Sequence, residues 1–150
     1  MSAVNEDVLH APHTVEYTYT RSTGLAIGAY LTGLREGKII GSVGSDGRIL
    51  VPATDYDPIT AADLSERVEV AHTGTVTTWA WVSVARPGQP LDRPFAWALV
   101  QLDGTDVAFL AAVDAGSDEA MSTGARVSAR FREGAIGVAG DLYFVLKEDA

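Results

Sequence analysis

Phe95-Ala96-Trp97-Ala98-Leu99-Val100-Gln101-Leu102, the pair Asp103-Gly104, and Val107-Ala108-Phe109-Leu110-Ala111-Ala112-Val113 form the stretch that decides the fold. An eight-residue apolar run, a tight-turn dipeptide and a second apolar run read as two neighbouring strands. Upstream, Ala85–Pro94 carries three prolines and is a loop. Before it, Thr75–Val84 reads as a strand with Trp79 and Trp81 on one face. Val68 and Val70 alternate with Arg67 and Glu69 in a shorter β segment. Downstream, Asp114–Thr123 is a loop with room for one short helix around Glu119-Ala120-Met121. Ala125, Val127, Ala129 and Phe131 alternate with Arg126, Ser128 and Arg130, which predicts a half-buried strand, and Leu142–Leu146 closes the chain.

Three strands, a short helix or loop, and two strands is the order of a five-stranded OB-type barrel. The chain is therefore predicted to be mainly β. Ahead of the barrel, Ile27, Tyr30, Leu31 and Leu34 fall at helical spacing, with Ser22 or Thr23 as the cap and Gly37 after the last turn. Lys38–Val43, the turn Ser45-Asp46-Gly47 and Arg48–Pro52 read as a small hairpin, and Ala53–Glu66 as a loop or knuckle. The predicted division is a disordered or extended N-terminus at 1–21, a helix and small hairpin at 22–66, and the barrel at 67–150.

The chain has 150 residues, 47% hydrophobic and 21% charged, which is enough for one globular domain with a small appendage. Its net charge of −9 argues against nucleic acid and anionic membrane surfaces as partners. With no cysteine, disulfides, thiolate metal sites and cysteine nucleophiles are excluded. No run approaches the roughly 18 apolar residues of a membrane span. The start, MSAVNEDVLH, lacks the basic and apolar regions of a secretory signal, so a cytoplasmic location is expected.

Catalytic constellations are weak. Ile40-Gly41-Ser42-Val43-Gly44 lacks the first glycine of a nucleophile elbow and precedes a turn. His72 is the only histidine in the region predicted to fold, and it reads as a polar residue at a strand end. Asp55, Asp57 and Glu66 sit at calcium-loop spacing, but Ile59, Thr60 and Pro58 occupy positions such a loop cannot spare. Glycines 41, 44 and 47 suit hairpin turns, not a phosphate cradle at a helix start. Trp79, Trp81, Phe95 and Trp97 lie on consecutive strands and are expected to gather on one side of the sheet. Both strands are also apolar on the opposite face, through Ala80, Val82, Ala96, Ala98 and Val100. Two apolar faces call for two covers, and a small barrel's interior supplies one.

Val43-Gly44-Ser45-Asp46-Gly47, Pro52 and Asp57-Pro58-Ile59-Thr60 keep the register of a Cys-x-x-Cys-Gly, Pro, Cys-Pro-x-Cys ribbon. Thr73-Gly74-Thr75-Val76-Thr77-Thr78-Trp79, Arg93–Gly104 and Thr123-Gly124-Ala125-Arg126-Val127 follow in the same order as the barrel motifs of one family. The chain resembles acyl-CoA-associated proteins built of an N-terminal helix, a rubredoxin-like zinc ribbon and an OB barrel, across residues 22–146. All four ligand positions are replaced here, by Val43, Asp46, Asp57 and Thr60. Zinc needs four deprotonated donors, and valine offers none. A degenerate, metal-free ribbon is expected.

The resemblance implies a non-catalytic accessory subunit in a hetero-oligomer with a thiolase-like aldolase subunit of the lipid-transfer-protein type. The implied substrate of that complex is a CoA thioester, with steroid side-chain degradation as the implied context and no cofactor bound by this chain. The partner surface is expected at Ile27, Tyr30, Leu31 and Leu34, with Trp79, Trp81 and Trp97 on the barrel. Two other classes compete. A free-standing OB module would stack ligands on the tryptophans. A small barrel enzyme would use an aspartate base, but no carboxylate stands out.

Overall fold

The computed structural model describes residues 10–147. The first nine residues of the N-terminus expected to be disordered or extended lie outside that range. Residues 10–23 form no helix or strand, and all are exposed.

Helix α1 spans Gly24–Arg35. Ala26, Tyr30, Gly33 and Leu34 form its buried face. Of the two expected caps, Ser22 contributes a bond at the helix start and Thr23 does not. Thr23 makes no capping bond; Asp55 Oδ1 accepts the Ala26 N–H at 3.2 Å, and Ser22 Oγ accepts that of Gly24 at 3.2 Å. A carboxylate at this end also suits the helix dipole. At the other end Gly37 adopts φ +73° as its N–H reaches Leu34 O.

Strands β1 (Ile40–Val43), β2 (Ile49–Leu50) and β3 (Arg67–Glu69) form a small antiparallel sheet in the order β2-β1-β3. The segment Arg67–Glu69 thus pairs with the hairpin, with Gly41 opposite Val68, and adds nothing to the barrel. Gly33 lets the helix lie on this sheet. A Cβ there would stand 2.7 Å from Ile40 Cγ1 and 3.1 Å from Lys38 O.

Strands β4 (Thr73–Val82), β5 (Phe95–Leu102), β6 (Ala108–Asp114), β7 (Arg126–Phe131) and β8 (Leu142–Leu146) close a barrel in the order β4-β5-β6-β8-β7. All pairings are antiparallel except the short β6–β8 contact at Val113↔Phe144 and Asp114↔Val145. A 3₁₀ turn at Asp118–Ala120 occupies the loop where a short helix was expected. Five strands are the predicted OB-type barrel. At Gly74, β4 runs so close to β5 that a Cβ would lie 2.5 Å from Gln101 O.

The interior holds Val76, Ala96, Ala98, Val100, Leu102, Val113, Val127 and Phe144, and Leu34, Tyr30 and Ile39 join the same apolar cluster. Helix, small sheet and barrel therefore share one core. A second, outer cluster packs Phe95 with Leu91 and Ala112 under the proline loop, where Trp97 meets Phe95 edge-on at 5.3 Å.

The tryptophans do not gather on one side. A bulge between Val76 and Thr78 shifts the register by one residue. Trp79 then faces Ala98 and Trp81 faces Ala96, on the core side; Trp97 faces Ala80, on the outer side. Unbulged, the same count would place Trp79 opposite Trp97. Because side chains alternate with period 2, one inserted residue moves both rings to the other face.

Candidate functional site

The two turns that carry the four ligand-like positions are brought together, and their chemistry is polar. Asp57 is the centre. Its Oδ2 accepts the Ser45 N–H at 2.9 Å; its Oδ1 accepts those of Ile59 at 2.8 Å and Thr60 at 3.1 Å. The side chain is only 1% exposed. The Ser45, Ile59 and Thr60 N–H bonds hold its carboxyl far below the usual carboxylate range. The Ser45 and Thr60 hydroxyls add a second link at 3.1 Å. Arg48 Nη2, which has no hydrogen-bond partner, lies 4.0 Å from Asp57 Oδ1.

The other ligand-like positions are committed elsewhere. Asp46 Oδ2 takes Arg48 Nε at 2.6 Å, and Arg48 holds its carboxyl below the ordinary value. Thr60 Oγ1 also accepts the Ala62 N–H at 3.3 Å. Val43 carries no donor atom. One apolar side chain, one hydroxyl and two carboxylates occupied by N–H and guanidinium groups do not fit a tetrahedral zinc centre. Among the described residues no cluster of three His, Asp or Glu is placed to hold a metal.

The helix residues expected at a partner surface divide sharply. Tyr30 and Leu34 are buried in the chain's own core, at 6% and 0% exposure, and Leu31 packs beside them. Burial raises the Tyr30 hydroxyl to about 12, so the phenol stays neutral. The apolar stripe of α1 is thus covered by the barrel and the small sheet. Ile27 is 40% exposed, and Leu25, which helical spacing passed over, is 85% exposed. Trp79 and Trp81 are half-buried against the barrel core, and Trp97 lies in the outer cluster.

Other exposed apolar side chains escaped the sequence reading. Val15, Tyr17 and Tyr19 alternate along the extended N-terminal segment, and all three are strongly exposed. Among the described residues, none of 14–20 makes a backbone hydrogen bond within the chain. The signal was present as period-2 spacing of Val15, Tyr17 and Tyr19. Leu110 on β6 is exposed as well. Beside it, a groove of about 790 Å³ runs between Tyr30, Trp97, Leu110, Arg132 and the turn at Val138–Gly140. Asp141 shapes that turn. Burial alone would raise its carboxyl, but the N–H groups of Val138, Gly137 and Ile136 outweigh it and lower the value. His72 packs its ring against Phe131 at 5.3 Å.

Residues 67–132 match the family described as the ChsH2 C-terminal OB-fold domain. No curated protein matches the chain in sequence. Among solved structures, a protein of unknown function from the DUF35 family of Sulfolobus solfataricus is similar, with 22% identity and a TM-score of 0.60. That match covers 83% of this chain and 85% of the other. The Ltp2-ChsH2(DUF35) aldolase is similar at 15% identity and a TM-score of 0.61, covering 85% of this chain and 97% of that one. At such identities these structures speak for the fold alone. Through the stretch from Arg67 to Arg132, the chain is similar to the ChsH2 C-terminal OB-fold domain family.

Proposed function

We propose that this chain is a non-catalytic accessory subunit that binds and supports a thiolase-fold aldolase acting on acyl-CoA thioesters, with steroid side-chain degradation as the pathway context. The observation that carries the reading is the match of residues 67–132 to the ChsH2 OB-fold domain. The fold likeness to the Ltp2-ChsH2(DUF35) aldolase supports it, because that assembly pairs such a domain with an Ltp2 protein. The thioester substrate and any catalytic residues belong to the partner in this reading, and the chain itself binds no cofactor.

The docking surface in this proposal is drawn from the exposed apolar side chains Val15, Tyr17 and Tyr19 of the N-terminal segment and Leu25 and Ile27 of α1. Large apolar side chains held in water are a standing cost that a partner's apolar face removes. Tyr30 and Leu34 act behind that surface by fixing the helix on the barrel. The test is reconstitution with a thiolase-fold partner, measuring retro-aldol cleavage of an acyl-CoA panel. Activity that appears only in the mixture supports the reading; full activity from the partner alone overturns it.

The groove beside Tyr30 and Trp97 favours one second reading, a free-standing OB module that holds a small apolar ligand. Tight binding of a fluorescent fatty acyl probe by the isolated chain, with no affinity for the partner, would select that alternative.

A further inference from the structure

We propose that the Asp57 carboxylate does in this chain what a metal ion does in a zinc ribbon: it ties the turns at 43–46 and 57–60 together, so that the small sheet folds without metal. Three backbone N–H groups converge on this one side chain, from both turns. An anion removed this far from water stays charged only when donors surround it, and charge-assisted bonds are the strong kind. The N–H bonds do surround it, and they favour the ionised form. The Ser45–Thr60 hydroxyl contact adds a neutral link across the same gap. Arg48 supplies a cation 4.0 Å away while pairing with Asp46. The same turn geometry explains why valine is tolerated at position 43. Nothing at that position has to donate an electron pair, and Val43 instead offers its N–H to Glu66 O at 3.1 Å.

This inference is independent of the partner reading, because it concerns how the chain holds itself together. The experiment uses the full purified chain. Elemental analysis is expected to find no stoichiometric zinc, and the thermal midpoint should be the same with chelator, with added zinc and with neither. In Asp57→Asn, amide exchange at Ser45, Ile59 and Thr60 should quicken by roughly tenfold or more. Barrel amides such as Val100 should keep their protection. Stoichiometric zinc with a chelator-sensitive midpoint would overturn the proposal, as would an Asp57→Asn protein whose three amides exchange at the wild-type rate. Should Asp57→Asn fail to fold, the chelator and zinc measurements on the wild-type chain decide the matter alone.

Discussion

In the barrel, every strand has two hydrogen-bonded neighbours, and Phe144, Val100, Val113 and Val127 are sealed from water. In the small sheet, β2 and β3 are two and three residues long, and the fully buried groups include Ser42. Its turns are joined by Asp57, its central strand is tied to Thr54 by the Ser42 hydroxyl, and the start of α1 is held by Asp55. Apolar area is non-directional and tolerates some rearrangement, whereas a polar clamp works only when each donor meets its acceptor. The barrel is held chiefly by apolar packing, and the small sheet keeps its turns in place through a few specific bonds.

The comparison breaks most visibly at the barrel centre. Phe144→Ala removes a fully buried ring that meets Phe109 edge-on, and should cost about 3–5 kcal/mol in chemical denaturation. Leu34→Ala should cost about 2–5 kcal/mol, although it lies outside the barrel. A single denaturation transition for that variant would establish that helix and barrel share one core; two transitions would separate them. Ser42→Ala strands the Thr54 N–H and carbonyl, which both now bond Ser42 Oγ at 2.8 Å. It should cost about 1–3 kcal/mol in chemical denaturation.

Acid should act in a defined direction. Arg126 first, then Thr73, lower the Asp103 carboxyl to about 2. A depressed folded value means the stabilisation is complete above the unfolded value of about 3.9 and fades as pH falls through about 2. Asp103 is largely exposed, so its share is small, and Asp103→Asn should flatten the acid limb of a pH–stability curve only slightly. The smallest stability effect is expected at the exposed residues proposed for docking. Leu25→Glu should change stability by less than about 0.5 kcal/mol while weakening partner binding.

The barrel was legible in the sequence because period-2 alternation and Gly or Pro turns report strands directly. Its register was not. The bulge at Val76/Thr78 has no distinctive sequence mark, and it alone sends Trp79 and Trp81 to the core side, away from Trp97. The helix was legible by spacing, but which of its apolar residues face the chain depends on the barrel it meets. Tyr30 and Leu34 were thus expected at a partner surface, whereas Leu25 holds the exposed position. In the small sheet the sequence already shows that Val43, Asp46, Asp57 and Thr60 do not make a zinc-ligand set. The convergence of three N–H groups on Asp57 could not, because it depends on two turns twelve residues apart meeting in space.

The most direct test of the account is the mass, by light scattering on a size-exclusion column, of wild-type chain and of Leu25→Glu, each mixed with a thiolase-fold aldolase. The account predicts a stable hetero-oligomer for the wild type and separate peaks for a folded Leu25→Glu. Two separate peaks for the wild type across all such partners would contradict it.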